Sequence, residues 1–87
     1  MTAIIHAKAI RPGGIVDNAV ILLENGLIKA LGRDLELPAD AQILDAKGMW
    51  VGPGFVDIHL HGDGINGRWE WDPVPVAAHH LKHGFTT

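Results

Sequence analysis

His59 and His61 are two imidazole side chains one residue apart, at the end of the apolar run in PGFVDIHLHGDG, residues 53–64. If this run is a β-strand, side chains two residues apart project from the same face, with Cβ atoms roughly 6.5 to 7 Å apart. Imidazole nitrogens that lean toward each other from this separation can both come within about 2.0 to 2.1 Å of one divalent metal. The spacing therefore predicts a metal site at His59 and His61.

The same two histidines could instead be polar residues at the frayed edge of a strand. Two features favour the metal site. The histidines follow an apolar run of the kind that is usually buried. Gly62 directly after them allows a ligand to approach the backbone closely. In a barrel of parallel strands the C-terminal end of each strand opens toward the active-site face, which is where both histidines would lie.

Other polar residues near this motif have different predicted roles. Asp57 points away from the histidine face by strand alternation, so we expect it to hydrogen-bond to neighbouring backbone. Gly62 and Asp63 are the candidate substrate contacts, although Asp63 also fits a solvated loop acid. His79 and His83 have the i, i+4 spacing of a helical metal site, but cationic imidazole is favoured near a helix C-terminus in any case, so we expect a structural role.

The N-terminal part of the chain, which precedes the histidine motif, has a β-rich pattern. Short β-prone runs are separated by Pro and Gly turns, and Asn25-Gly26 is typical of a two-residue type I′ hairpin turn. We predict a small β meander whose strands cover residues 3–7, 18–24, 27–31, 42–45 and 49–51. Pro53-Gly54 breaks this pattern, so the predicted domains are a β-rich subdomain at 1–52 and a βα unit at 53–87.

The βα unit has its own pattern. Phe55 to Leu60 is predicted as a strand buried on both faces, and a glycine-rich loop follows over residues 62–67. A helix is predicted from an Asp72 cap, with Pro73 in the first turn and Gly84 after its end. Its apolar stripe is Val74, Ala77, Ala78 and Leu81, and residues 85–87 resemble the start of a further strand.

Composition excludes several classes of function. The 87-residue chain has a net charge of −3 with scattered Lys and Arg, so nucleic acid is not an expected partner. It has no cysteine, so a metal must be held by His and carboxylates. The start lacks a signal-peptide pattern, and the apolar run AVILL is far shorter than the roughly 18 to 20 residues that cross a bilayer. We therefore expect a cytoplasmic location and no membrane association.

PGFVDIHLHG closely resembles the Pro-Gly-Phe-(Ile/Val)-Asp-x-His-x-His-Gly signature of the metal-dependent amidohydrolase superfamily. The segments ENGLIKALG and PADAQILDAKGMWVGPG are similar to that family in the same order. The resemblance implies an α/β protein: a small β-sandwich portion followed by the first β-strand and helix of a (β/α)8 TIM barrel.

Within the superfamily, HGDGING and HHLKHGFTT are most similar to N-acetylglucosamine-6-phosphate deacetylases. That resemblance implies a divalent metal (Zn, Fe or Ni) at His59 and His61. It also implies an acetylated amino sugar phosphate as the small-molecule substrate, hydrolysed at its amide to acetate and the free amine. Other members of the superfamily, dihydroorotase-like or deaminase-like, stay open, as does a non-enzymatic β-rich module.

A complete TIM barrel takes about 200 to 250 residues, and this chain supplies one strand and one helix of it. The resemblance implies that a further Glu, two His and a catalytic Asp come from later strands, so no catalytic residue is assigned within the 87 residues. We expect the chain to be an incomplete fragment with no activity of its own, and a homo-oligomer is compatible with a longer form.

Overall fold

The computed structural model describes residues 1–59 and 73–87. The chain divides into two compact units, Met1–Gly52 and Pro53–Thr87. The predicted glycine-rich loop over residues 62–67, the end of the predicted strand at Leu60 and the predicted Asp72 cap lie outside the described residues.

The first unit is a five-stranded mixed sheet. Its strands are β1 (Thr2–Arg11), β2 (Gly14–Glu24), β3 (Leu27–Gly32), β4 (Gln42–Asp45) and β5 (Trp50–Val51). The order is β3-β2-β1-β4, and β5 also pairs with β1. Strand β2 is antiparallel to β1 and to β3, whereas β4 and β5 run parallel to β1. The predicted number of strands is confirmed, but the predicted meander is wrong for β4 and β5.

The long hairpin of β1 and β2 extends further than predicted, since β1 does not stop at Ala7 and β2 does not start at Asn18. Ala7 and Ala9 are buried and Lys8 between them is exposed, so the period of two continues. Alanine is depleted in strands and lysine is polar, so a prediction from strand propensity ends β1 too early. Packing of small side chains in the sheet outweighs that preference.

Residues 33–41 carry the chain from β3 to the other side of β1, where β4 and β5 lie. Parallel neighbours need such a crossover connection, whereas a meander needs only tight turns. The turn residues gave no sign of this difference. Asn25 and Gly26 both have positive φ, at 51° and 76°, which confirms the predicted hairpin turn. Lys47 and Gly48 also have positive φ, at 52° and 80°, yet the strands on either side of them run in the same direction.

A bulge in β1 faces the turn between β4 and β5. His6 has a φ of 53°, and the register of β1 against β2 shifts between Ile4 and Ala7. Ala46 to Met49 form the turn, closed by a hydrogen bond of 2.8 Å from the Met49 N–H to the Ala46 carbonyl. The Gly48 N–H donates to the His6 carbonyl at 2.7 Å. The bulge and the turn therefore satisfy each other's backbone groups.

Asp45 fixes the same turn through its side chain. Its Oδ1 accepts a hydrogen bond of 2.8 Å from the Lys47 N–H and lies 3.0 Å from His6 Nδ1. The Lys47 backbone N–H, followed by the His6 imidazole, holds the pKa of Asp45 below its ordinary value. The carboxylate form is therefore favoured in the folded sheet.

We expect the contribution of Asp45 to stability to disappear in acid. Because its folded pKa is lower than its unfolded pKa of about 3.9, the contribution is full above that value and is lost as the pH falls through the folded pKa. Urea unfolding of the wild type and of Asp45→Ala should therefore show a larger difference at pH 6 than at pH 2.5. Equal differences at the two pH values would contradict this role. Comparing the two proteins at each pH cancels the titration of the remaining acids.

Small side chains form the core of the first unit. Its buried cluster consists of Ala7, Ala9, Ala19, Ile21 and Ala46. Several large apolar side chains are exposed instead: Leu27, Ile28, Leu44, Met49 and Trp50. A β-sandwich needs two sheets packed face to face, and the described residues of this unit form one sheet. The predicted sandwich is therefore not present in the described residues.

The helix α1 (Pro73–Lys82) is the main element of the second unit and agrees with the predicted helix. Gly84 has a φ of 91°, as predicted for the residue after a helix end, and its N–H donates to the Leu81 carbonyl at 3.0 Å. The apolar stripe is exposed at Val74 and Leu81, at 72% and 60%, and the buried residue among residues 74–82 is Val76. No helix in the described ranges is long and apolar enough to cross a bilayer.

The predicted strand at Phe55 is reduced to one parallel bridge between Phe55 and Phe85. The Phe55 N–H donates to the Gly84 carbonyl at 2.8 Å, and the Thr86 N–H donates to the Phe55 carbonyl at 3.0 Å. Burial on both faces is wrong, since Phe55 is 59% exposed and Ile58 is 96% exposed. Burial on both faces needs elements that cover both faces of a sheet, and in the described part of this unit the segment makes one bridge, to Phe85. A barrel is not shown.

Candidate metal site

His59 lies at the end of the described part of the predicted strand, and it is exposed. Its backbone N–H donates a hydrogen bond of 3.0 Å to Oδ1 of Asp57. This local bond from an Asp side chain to the backbone two residues on forms a turn, and Ile58 lies at the bend. The sequence therefore folds here by capping its own backbone, and not by extending a strand ladder.

Asp57 connects the histidine to the segment after α1. Its own N–H donates to the carbonyl of Thr87 at 2.8 Å, while its carboxylate accepts from His59. Both contacts are to backbone, which confirms the predicted structural role of this aspartate. We infer that Asp57 holds the backbone on which the His59 imidazole is presented.

His61, Gly62 and Asp63 lie outside the described residues, so their predicted roles stay predictions. The expectation that His59 and His61 share one face depends on extended backbone. The chain bends at Ile58 instead, so the alternation of side chains along an extended strand is interrupted before His59. The pair therefore stays a prediction from the sequence motif.

The available donor atoms can be compared with what a metal needs. Imidazole suits Zn, Fe and Ni, so the chemistry of His59 fits the expected divalent ion. Catalytic zinc sites use about three protein ligands and an open position. No group of three or more His, Cys, Asp or Glu side chains is placed to hold a metal in residues 1–59 and 73–87. His59 thus fits as one ligand of a larger set.

A groove of about 360 Å³ lies in the second unit, between α1 and the segments on either side of it. Ala77, Leu81 and Phe85 line it, and the Nε2 atom of His80 is buried with no hydrogen-bond partner among the described residues. The sequence pattern places Ala77 and Leu81 on an apolar stripe of the helix, and it does not indicate a groove there. No pattern in the sequence distinguishes His80 from the neighbouring histidines, and His59 does not line the groove.

Comparison with known proteins identifies relatives of this chain. No protein-family model matches the sequence. The chain is 46% identical over 81 residues to a dihydroorotase of Geobacter sulfurreducens, covering 92% of this chain and 19% of that protein. It is 43% identical over 42 residues to a deacetylase of Brucella anthropi, covering 48% of this chain and 10% of that protein. A crystal structure of an uncharacterized protein shares the fold, with a TM-score of 0.73 and 22% identity over 98% of this chain and 24% of that one.

These relatives support the amidohydrolase superfamily, to which dihydroorotases and the deacetylase belong, as the sequence motif predicted. They do not support the finer assignment to N-acetylglucosamine-6-phosphate deacetylases, and they favour the dihydroorotase-like alternative. The chain spans 17% and 19% of the length of two dihydroorotases it matches. Activity, substrate and partners are therefore matters for proposal.

Proposed function

We propose that this chain contributes the first metal-binding histidines of a dihydroorotase-like amidohydrolase, which hydrolyses a C–N bond in a small cyclic amide. The observation that carries the proposal is the 46% identity to a dihydroorotase over 92% of the chain, in a sequence that contains the His59-x-His61 motif. Deacetylation of an acylated amine is the second candidate, because the Brucella anthropi relative is named a deacetylase.

His59 and His61 would hold the metal together with ligands from other segments. When bound, a divalent metal lowers the pKa of its water to about 7 and polarises the amide carbonyl. Asp57 keeps the backbone of His59 in place by accepting a hydrogen bond from the His59 N–H. The proton acceptor for the reaction is not assigned to a described residue of this chain.

A chimera tests the proposal directly. The 87 residues replace the aligned segment of the Geobacter sulfurreducens dihydroorotase, and the purified chimera is assayed with dihydroorotate and with N-acetylglucosamine 6-phosphate. Activity toward dihydroorotate alone is the expected result. A folded, metal-loaded chimera that hydrolyses neither compound would overturn the proposal, and preferential deacetylation would support the second candidate.

A further inference from the structure

His79 and His83 lie one helical turn apart at the C-terminal end of α1, and both are exposed to solvent. Their ring centres are 5.1 Å apart and the ring planes are inclined by 55°. The i, i+4 spacing places such side chains on the same face of a helix. Two imidazoles are thus held side by side where a dissolved ion can reach them.

The separation of the two rings matches what one metal ion requires. A metal about 2.0 to 2.1 Å from an imidazole nitrogen lies about 3.2 Å from the centre of that ring, so two rings at a tetrahedral angle have centres about 5.2 Å apart. The observed 5.1 Å agrees with this value. The separation of the two rings is therefore compatible with both binding the same ion.

The position in the helix also favours a cation. The C-terminal end of a helix carries a partial negative charge from its unpaired carbonyl groups. His79 is in the last turn of α1, and the His83 N–H donates to the His80 carbonyl at 3.0 Å just beyond it. A positive ion between His79 and His83 would lie close to this partial charge.

We propose that His79 and His83 form a two-histidine site for a borderline divalent transition metal such as Cu²⁺, Ni²⁺ or Zn²⁺. Imidazole nitrogens are suitable ligands for each of these ions. The proposed ligands are these two imidazoles, and no third His, Cys, Asp or Glu side chain of residues 1–59 and 73–87 joins them. The site uses different side chains from the His59 and His61 pair and does not depend on the proposed hydrolase function.

The test is to titrate the 87-residue chain with Ni²⁺ and to measure the binding affinity by isothermal titration calorimetry. All proteins carry His59→Ala and His61→Ala, so the other predicted metal site is removed. His79→Ala and His83→Ala should each weaken Ni²⁺ binding by about 10- to 100-fold, as loss of groups around a metal does. His79→Gln, which keeps good helix propensity, should weaken binding equally. Far-UV circular dichroism confirms that each variant retains its secondary structure.

A matched control keeps the number of histidines and changes their spacing. Combining Ala78→His with His79→Ala places the two imidazoles five residues apart, on different faces of α1. Ni²⁺ affinity should then stay as low as in His79→Ala. Binding that is unchanged by His79→Ala, or restored in full by the respaced variant, would overturn the proposed site.

Discussion

Replacing His59 by alanine in the chimera with the Geobacter sulfurreducens dihydroorotase should lower kcat/KM for dihydroorotate at least about 100-fold, since outer-shell changes alone cost 10- to 100-fold and His59 is a proposed ligand. His59 is exposed, and the hydrogen bond to Asp57 is made by its backbone N–H, so this bond remains when the imidazole is removed. The bound metal should fall in parallel with activity, as measured by elemental analysis of the purified protein.

His6→Ala is the matched control for this substitution, because His6 is also an exposed histidine and lies on β1. The control should retain the activity and metal content of the parent chimera. The 87 residues alone should be inactive with either substrate, because a metal held only by His59 and His61 would have too few protein ligands for a tight site. Full activity of His59→Ala with a normal metal content would remove His59 from the proposed site.

The parts of the fold that depend on local chemistry were predictable from the sequence. Asn25 and Gly26 suit a tight hairpin turn because both tolerate positive φ. Pro73 suits the first turn of a helix and Gly84 suits the position after its end, so the limits of α1 also depend on local residue types. The pairing of β4 and β5 with β1 was not predictable in the same way. It depends on where residues 33–41 take the chain, and their composition indicates only a loop.

Burial was predicted less well than secondary structure, and the reason is physical. Apolar residues at strand or helix spacing show which face would pack if a partner were present, and they do not supply the partner. The predicted stripe of α1 is exposed at Val74 and Leu81, and the predicted buried strand is exposed at Ile58. The motif around His59 could be recognised because its residue types and spacing are themselves the signal, whereas the bend at Ile58 depends on the Asp57 side chain.

The Pro-Gly pair before the histidine motif leads to the second prediction, because Gly54 leaves no room for a side chain. A Cβ built on Gly54 would lie 2.7 Å from Thr86 Cβ and closer still to the Oγ1 and Cγ2 atoms of the same residue. These atoms belong to a short branched side chain that cannot swing away. Gly54→Ala must therefore push apart the segments joined by the hydrogen bonds of Phe55.

We expect Gly54→Ala to destabilise the second unit by about 1 to 3 kcal/mol, the usual cost of overpacking. Hydrogen exchange should show the loss first at the amides of Phe55 and Thr86, which bond across the bridge. Gly13→Ala is the matched control, because a Cβ there meets nothing within 4 Å, and its effect should be small.

Thr86→Gly removes all three atoms that the new methyl group would meet, so the double variant tests the cause. If the clash is responsible, Gly54→Ala should cost much less in the Thr86→Gly background than in the wild type, giving a favourable coupling energy between the two sites. The same cost in both backgrounds would contradict the clash with Thr86 as the cause. In the first case the glycine of the motif is required because the segment leading to His59 passes directly against the chain that follows α1.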